Sequence, residues 1–243
     1  MAAPGRLCVG TSGYSYASWI PAFYPLGTKA AEMLARYAAR LPAVELNNTF
    51  YRVPTKERVD GWLAATPPGF RFASKAHQAV SHRARLRSPE QVEWLAGGMR
   101  LFGERLGCVL VQTPANLARD DARLAGFLAA WPRELPVAFE FRHPSWLDDA
   151  VLALLTEHGA ALCAAEHDGD PEPPRLFATA PHLYLRLRRD AYTDAELDAW
   201  VGRVVPFLDD GRDVYLFFKH DGPGVAPALA LRFAERAGAL RRA

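Results

Sequence analysis

Val137-Ala-Phe-Glu-Phe-Arg-His-Pro-Ser-Trp146 alternates strictly before it breaks at Pro144. Val137, Phe139 and Phe141 fall on one face, and Ala138, Glu140 and Arg142 on the other, which is the period of a β-strand. A carboxylate and a guanidinium on a strand flanked by aromatics are costly to bury unless they pair or meet a ligand. Ala43-Val-Glu-Leu-Asn-Asn-Thr-Phe-Tyr51 repeats the logic, with Glu45 and Asn47 on one face.

Outward from these two stretches, the chain alternates strand and helix throughout. Strands are expected at 6–10, 44–47, 70–75, 107–112, 136–142, 161–166, 183–188 and 213–219. Helical spacing occupies 29–40, 55–65, 88–102, 120–131, a segment ending at His158, one opening at Thr193, and 226–240. Ser88-Pro-Glu-Gln91 is a helix start with Ser as N-cap and Pro at the first position, and Thr193-Asp-Ala-Glu196 is a capping box. The Pro-rich stretch 168–181 reads as irregular. Eight strands, nearly all followed by a helix, in 243 residues is the count a single (β/α)8 barrel domain requires. The alternative is a doubly wound open sheet. Its dinucleotide-binding form is weakened by the lack of Gly-x-Gly-x-x-Gly after the first strand.

Composition narrows the function classes. Half of the residues are apolar, enough for a sizeable core, and the net charge of +2 argues against a purely electrostatic nucleic-acid binder. Cys8, Cys108 and Cys163 lie in apolar runs without CxxC or CxxH spacing, and read as small buried hydrophobes in a reducing compartment. No apolar run approaches the about 18 residues of a membrane span, and the stretch before Cys8 has no apolar h-region. A cytoplasmic protein without membrane association is the expectation.

Barrel sites sit at the C-terminal ends of the strands. Period two places Glu45, Asn47, Lys75, Gln112, Glu140, Arg142, Glu166, Arg186 and Lys219 at the last inward positions, with Glu166 on a strand of unclear alternation. Three carboxylates then face four cations, an excess that a bound phosphate or carboxylate would neutralise. An ion-pair network closing the top of the barrel would use the same charges. The chain has four lysines among 29 Lys and Arg, and two of the four, Lys75 and Lys219, fall at strand ends. A buried amine among other cations can lose its proton and form a Schiff base; alternatively Lys75 is a compact ion-pair partner of Glu45.

Glu45, Glu140 and Lys75 are therefore the candidate catalytic residues, and Asn47, Arg142, Arg186 and Lys219 the candidate anion-binding residues. Glu140 beside Arg142 is expected to stay ionised. Among the rim aromatics Tyr14, Tyr16, Trp19, Tyr24, Phe50, Tyr51 and Trp146, the two tryptophans read as packing and Tyr14 and Tyr51 as stacking walls. Neither a metal nor another cofactor is expected, because four cations would repel a divalent ion and only His220 and His143 could join the glutamates. His77 and His82, five apart, read as solvated loop residues. The basic run His82-Arg-Ala-Arg-Leu-Arg87 is either a solvated face or a strip that steers a polymer such as nucleic acid.

Several stretches resemble the YecE-like family: Gly10-Thr-Ser-Gly-Tyr-Ser-Tyr16 with Trp19, Val44-Glu-Leu-Asn-Asn-Thr-Phe-Tyr-Arg-Val-Pro54, Phe72-Ala-Ser-Lys-Ala76, Val111-Gln-Thr-Pro114 and Glu140-Phe-Arg-His-Pro-Ser-Trp146. The resemblance covers nearly the whole chain and implies a TIM-barrel-like fold without an assigned activity, substrate or cofactor. Glu45, Glu140 and Arg142 match it best. The family tends to have Asp at Glu166, Asn-Asn at Lys219-His220, and Arg-x-His at Arg186-Leu-Arg188. The combined expectation is an enzyme acting on a small anionic, sugar-phosphate-like molecule through carboxylate acid/base chemistry. The alternative is a non-catalytic or nucleic-acid-interacting binding protein using the same pocket.

Overall fold

A computed structural model describes residues 3–219 and 222–240. Eight parallel strands close into a barrel in sequence order: β1 (Leu7–Ser12), β2 (Ala43–Leu46), β3 (Arg71–Lys75), β4 (Leu106–Gln112), β5 (Val137–Glu140), β6 (Ala161–Glu166), β7 (His182–Leu187) and β8 (Asp213–Phe218). The circle is completed by β1 pairing with β8, from Leu7 opposite Val214 to Thr11 opposite Phe218. The helices are α1 (Ala30–Ala38), α2 (Lys56–Ala64), α3 (Pro89–Arg100), α4 (Asp121–Ala130), α5 (Asp149–His158), α6 (Asp194–Asp209) and α7 (Val225–Leu240). This is the (β/α)8 architecture with one helix missing. The crossover from β6 to β7 runs through the irregular Pro-rich stretch, as its composition foretold.

Local chemistry sets the helix ends. Ser88 accepts a hydrogen bond from the Gln91 amide at 3.4 Å with Pro89 in the first turn, and Thr193 and Glu196 form both halves of a capping box. Gly159 ends α5 at φ +63°, the left-handed conformation a side chain resists.

The barrel interior is divided by size. Cys8, Ala43, Ala73, Cys108, Ala138, Ala161 and Cys163 are small, whereas Tyr184, Tyr215 and Phe217 project large rings from β7 and β8. Aromatics from two adjacent strands occupy the central volume, so the strands opposite must carry small residues to reach native packing density. The three cysteines are buried and free. A second, larger apolar layer lies between strands and helices, with Trp19 and Trp146 buried in it.

Two irregularities decide which side chains reach the mouth. Pairing between β3 and β4 jumps from Phe72–Leu106 to Ala73–Cys108, so Gly107 is an extra, bulged residue, and Cys108, Leu110 and Gln112 follow on the inner face. Strands β5 and β6 pair only through Ala138–Ala161 and Phe139–Leu162. Strand β5 ends at Glu140, two residues earlier than its alternation implies, and above Phe139 the two strands part.

Candidate functional site

The mouth is built around Arg186 on β7. Its Nη1 donates to Glu140 Oε2 at 2.6 Å and its Nη2 to Glu45 Oε1 at 3.0 Å. The second oxygen of Glu45 accepts from Tyr184 Oη at 2.7 Å, and Oε1 also accepts from Ser12 Oγ at 2.8 Å. Glu140 Oε1 accepts from Gln112 Nε2 at 2.8 Å, and Gln112 Oε1 accepts from Lys75 Nζ at 2.8 Å. One continuous chain of hydrogen bonds thus joins β1, β2, β7, β5, β4 and β3. Gln112 donates to Glu140 through Nε2 and accepts from Lys75 through Oε1, which holds its amide in one orientation.

Electrostatics follow from this geometry. Burial, the largest influence on Glu45 and Glu140, pushes both carboxyls up. Arg186 together with the hydrogen bonds from Tyr184 and Ser12, and from Gln112 and Arg186, outweighs it and holds both below the usual carboxylate range. Burial pulls Lys75 down and the positive charge of Arg186 adds to it, against the pull of the two glutamates, so its amine lies below the ordinary lysine value. Lys75 Nζ sits 4.6 Å from the Phe50 ring centroid, a cation–π contact that partly offsets the lost hydration. His82, edge-on to Phe50, is pulled down by burial, Lys75 and Arg142. Among the described residues, neither Lys75 nor Arg142 has a carboxylate within ion-pair distance.

The structure brings together Glu45, Lys75, Glu140 and Arg186. Both carboxylates have both oxygens bonded; they differ in access, since Glu45 has no exposed surface and is placed to orient Arg186, whereas Glu140, 5% exposed, borders open space. The ion-pair partner of Glu45 is Arg186, not Lys75, and Glu140 is held ionised by Arg186 rather than by Arg142. Arg142 lies beyond the end of β5, exposed at the rim. Asn47, half-buried, leads into a tight turn at Asn48–Phe50 that Thr49 pins to the Lys75 carbonyl at 2.7 Å.

Four expectations are corrected. Glu166 faces the helix layer, where Tyr192 Oη donates to it at 2.6 Å and Trp200 Nε1 at 3.1 Å. Cys163 and Ala165 point inward on β6, which fixes its phase and turns Glu166 out. Lys219 donates to Asp190 at 2.9 Å, so its charge is countered on the outer rim. Tyr14 lies tilted against Tyr37, ring centroids 6.3 Å apart, with its hydroxyl beside Trp62 and Arg58, packing between α1 and α2 rather than walling the mouth. Gly13, at φ +90°, makes the turn that sends the chain outward there. His77 and His82 are structured rather than solvated: His77 packs edge-on to Trp94 and contacts the Tyr51 carbonyl at 3.1 Å. Tyr51 is 71% exposed at the rim. His220 lies outside the described residues, among which no group of three or more His, Cys, Asp and Glu is arranged to hold a metal ion.

Three contributors escaped the sequence reading. Ser12 and Tyr184 supply the hydroxyls on Glu45, and each is one strand step from a position already singled out. Arg188, two residues past Arg186, exerts its charge on both Glu45 and Lys75 and so shares the mouth. With Glu166 turned away and Lys219 paired with Asp190, the carboxylates left at the mouth among the described residues are Glu45 and Glu140, both served by Arg186.

A cavity of about 580 Å³ opens beside this network, lined by Glu140, Phe141, Arg142, Cys163, Ala165 and Phe177 among others. A TIM-like barrel with a charged network at the strand C-termini is the class of protein that fold and site define. Residues 8–243 match the family described as "Protein of unknown function DUF72", and the chain belongs to that family. It is 26% identical to UPF0759 protein YunF of Bacillus subtilis over 84% of this chain and 86% of that protein. It is 32% identical to UPF0759 protein YecE of Escherichia coli K12 over 141 residues, 57% of this chain, and the match spans about half (49%) of that relative's length. A DUF72 family protein from Thermotoga maritima superposes with a TM-score of 0.80 at 26% identity, covering 95% of this chain and 98% of the other. Another from Enterococcus faecalis superposes at 0.79 with 22% identity, covering 96% and 95%, and shares the fold. The YecE-like resemblance and the barrel are thereby established.

Proposed function

We propose that the barrel mouth binds a small molecule carrying a phosphate or carboxylate, and that the protein is an enzyme acting on it by proton transfer. The observation that carries this reading is the charge balance at the mouth: Arg186 already serves both carboxylates, while Lys75 and Arg142 find no acidic partner among the described residues. An anion placed between them would supply the missing counter-charge where hydration is reduced and each hydrogen bond to it is strengthened.

Roles follow from accessibility. Glu140, ionised and bordering the cavity, is the general base. Lys75, its amine poised below the ordinary lysine value, holds the anion and returns a proton. Glu45 sets the Arg186 fork that keeps Glu140 charged. Arg142 gathers the anion at the rim, with Asn47 and Tyr51 at hand. The polymer-binding alternative draws less support from the basic run. Arg85 donates to Asn116 and Arg87 lines a cleft with Asp120 between α3 and α4, so the arginines do not form one track.

A thermal-shift and turnover screen of phosphorylated and carboxylated metabolites, with short oligonucleotides alongside, tests the reading. Small anions should raise the melting temperature, Arg142→Ala should weaken the shift, and Glu140→Gln should abolish turnover of any substrate found. Stabilisation by oligonucleotides alone would overturn it.

A further inference from the structure

The cavity between β5 and β6 has an origin in the fold. Seven of the eight strands are followed by a helix; β6 is followed instead by the Pro-rich stretch. Because β5 and β6 stop pairing above Phe139 and Leu162, inner and outer faces communicate there. The cavity wall shows this directly: inward-facing Glu140, Cys163 and Ala165 line the same space as outward-facing Leu162 and Ala164. The opening is therefore a side chamber of the mouth and not a separate surface dent.

Its chemistry differs from that of the mouth. Phe141 lies flat on Trp146, with centroids 4.5 Å apart and planes 7° apart, and the next wall is Phe177 on the opposite segment. The polar groups around it are mainly basic: Arg142 at the junction with the mouth, and Arg175 over the Phe177 ring at 4.9 Å. Glu140, already bonded to Arg186, is the sole acidic residue in the lining among the described residues. A chamber of this volume, mostly apolar with a few convergent charges, is the usual form of a small-ligand site.

We infer that this chamber is the second half of the substrate site, and that the substrate is an aryl-bearing anion: an aromatic carboxylate or an aryl phosphate ester. The inference rests on the anion-binding reading of the mouth and sharpens it. The charged end sits by Arg142 and Lys75, and the ring enters between β5 and β6 against Phe141, Leu162 and Phe177. A bare sugar phosphate would leave the apolar walls wet.

Calorimetric titration of the purified protein with inorganic phosphate, phenyl phosphate, acetate and benzoate tests it, the two pairs separating the phosphate from the carboxylate source. Each aryl ligand should bind about tenfold or more tighter than its parent anion, the effect of burying one ring. Phe177→Ala opens the chamber and Ala165→Phe fills it; each should shrink that ratio toward one, with an unchanged melting temperature certifying the fold. Arg142→Ala should weaken all four ligands. Equal affinities for aryl and parent anions, still lost in Arg142→Ala, would overturn the chamber and leave the mouth standing. No binding of any anion to the wild type would overturn both.

Discussion

Arg186 donates to Glu140 at 2.6 Å with both side chains almost wholly buried, and the same guanidinium serves Glu45. Removing the fork leaves two carboxylates in a place that cannot hydrate them. Arg186→Met should therefore destabilise the protein by about 3–5 kcal/mol, measured by urea unfolding. Arg186→Lys should recover only part of the loss, since an ammonium cannot bridge both carboxylates as a planar fork does. Arg186→Met combined with Glu45→Gln and Glu140→Gln should be more stable than Arg186→Met alone, because the uncompensated charges are gone.

The acid side of the stability curve follows from the same pair. Glu45 and Glu140 titrate below their unfolded values, so the unfolded chain binds protons first as pH falls. Their contribution is complete above the unfolded carboxylate value, about 4.3, and is lost as pH drops through the lower folded values. Melting temperatures should fall steeply below about pH 4.5, and Glu140→Gln should flatten that limb while lowering the plateau at neutral pH. An acid limb as steep in Glu140→Gln as in the wild type would show that other groups dominate.

The barrel was legible because strict alternation in Val137–Arg142 and Ala43–Asn47 gave both strand identity and phase, and because helix caps such as Thr193–Glu196 carry their chemistry in four residues. Phase failed where it had no contrast. Strand β6 reads Ala-Leu-Cys-Ala-Ala-Glu, with small residues on both faces, so nothing in it tells Glu166 which way to point. The bulge at Gly107 and the early parting of β5 from β6 are properties of strand pairs, and a single strand's sequence does not contain them. Arg188 was within reach: it lies inside the strand expected at 183–188, in phase with Arg186. Tyr184 was not, because a hydroxyl in a packed interior looks like core until its acceptor is placed 139 residues away in the chain.

Glu166 gives a contrast between structure and site. It is 3% exposed and accepts from Tyr192 and Trp200, far from the anion-binding groups in chemistry if not in sequence. Glu166→Ala should cost about 1–3 kcal/mol, the cost of leaving a buried hydroxyl and indole N–H without an acceptor. Ligand affinity at the mouth should be unaffected by that variant when measured well below its melting temperature. An equal loss of binding in Glu166→Ala and Arg142→Ala would mean that β6 does contribute to the mouth.

Lys75 offers a direct readout of whether an anion reaches the network. Its amine is held down by burial and by Arg186, so in the free protein it loses its proton at a lower pH than an ordinary lysine. An anion beside it favours the charged form and raises its value again. Binding must then be accompanied by proton uptake in the alkaline window between the free and bound values, below the ordinary lysine value of about 10.4. Titrations with inorganic phosphate in that window, run in two buffers of different ionisation enthalpy, should give different apparent heats for the wild type. In Lys75→Met the two heats should coincide and the affinity should fall about tenfold, the loss of one charge-assisted hydrogen bond. Identical heats in the wild type would place the bound anion away from Lys75 and remove it from the proposed proton transfer.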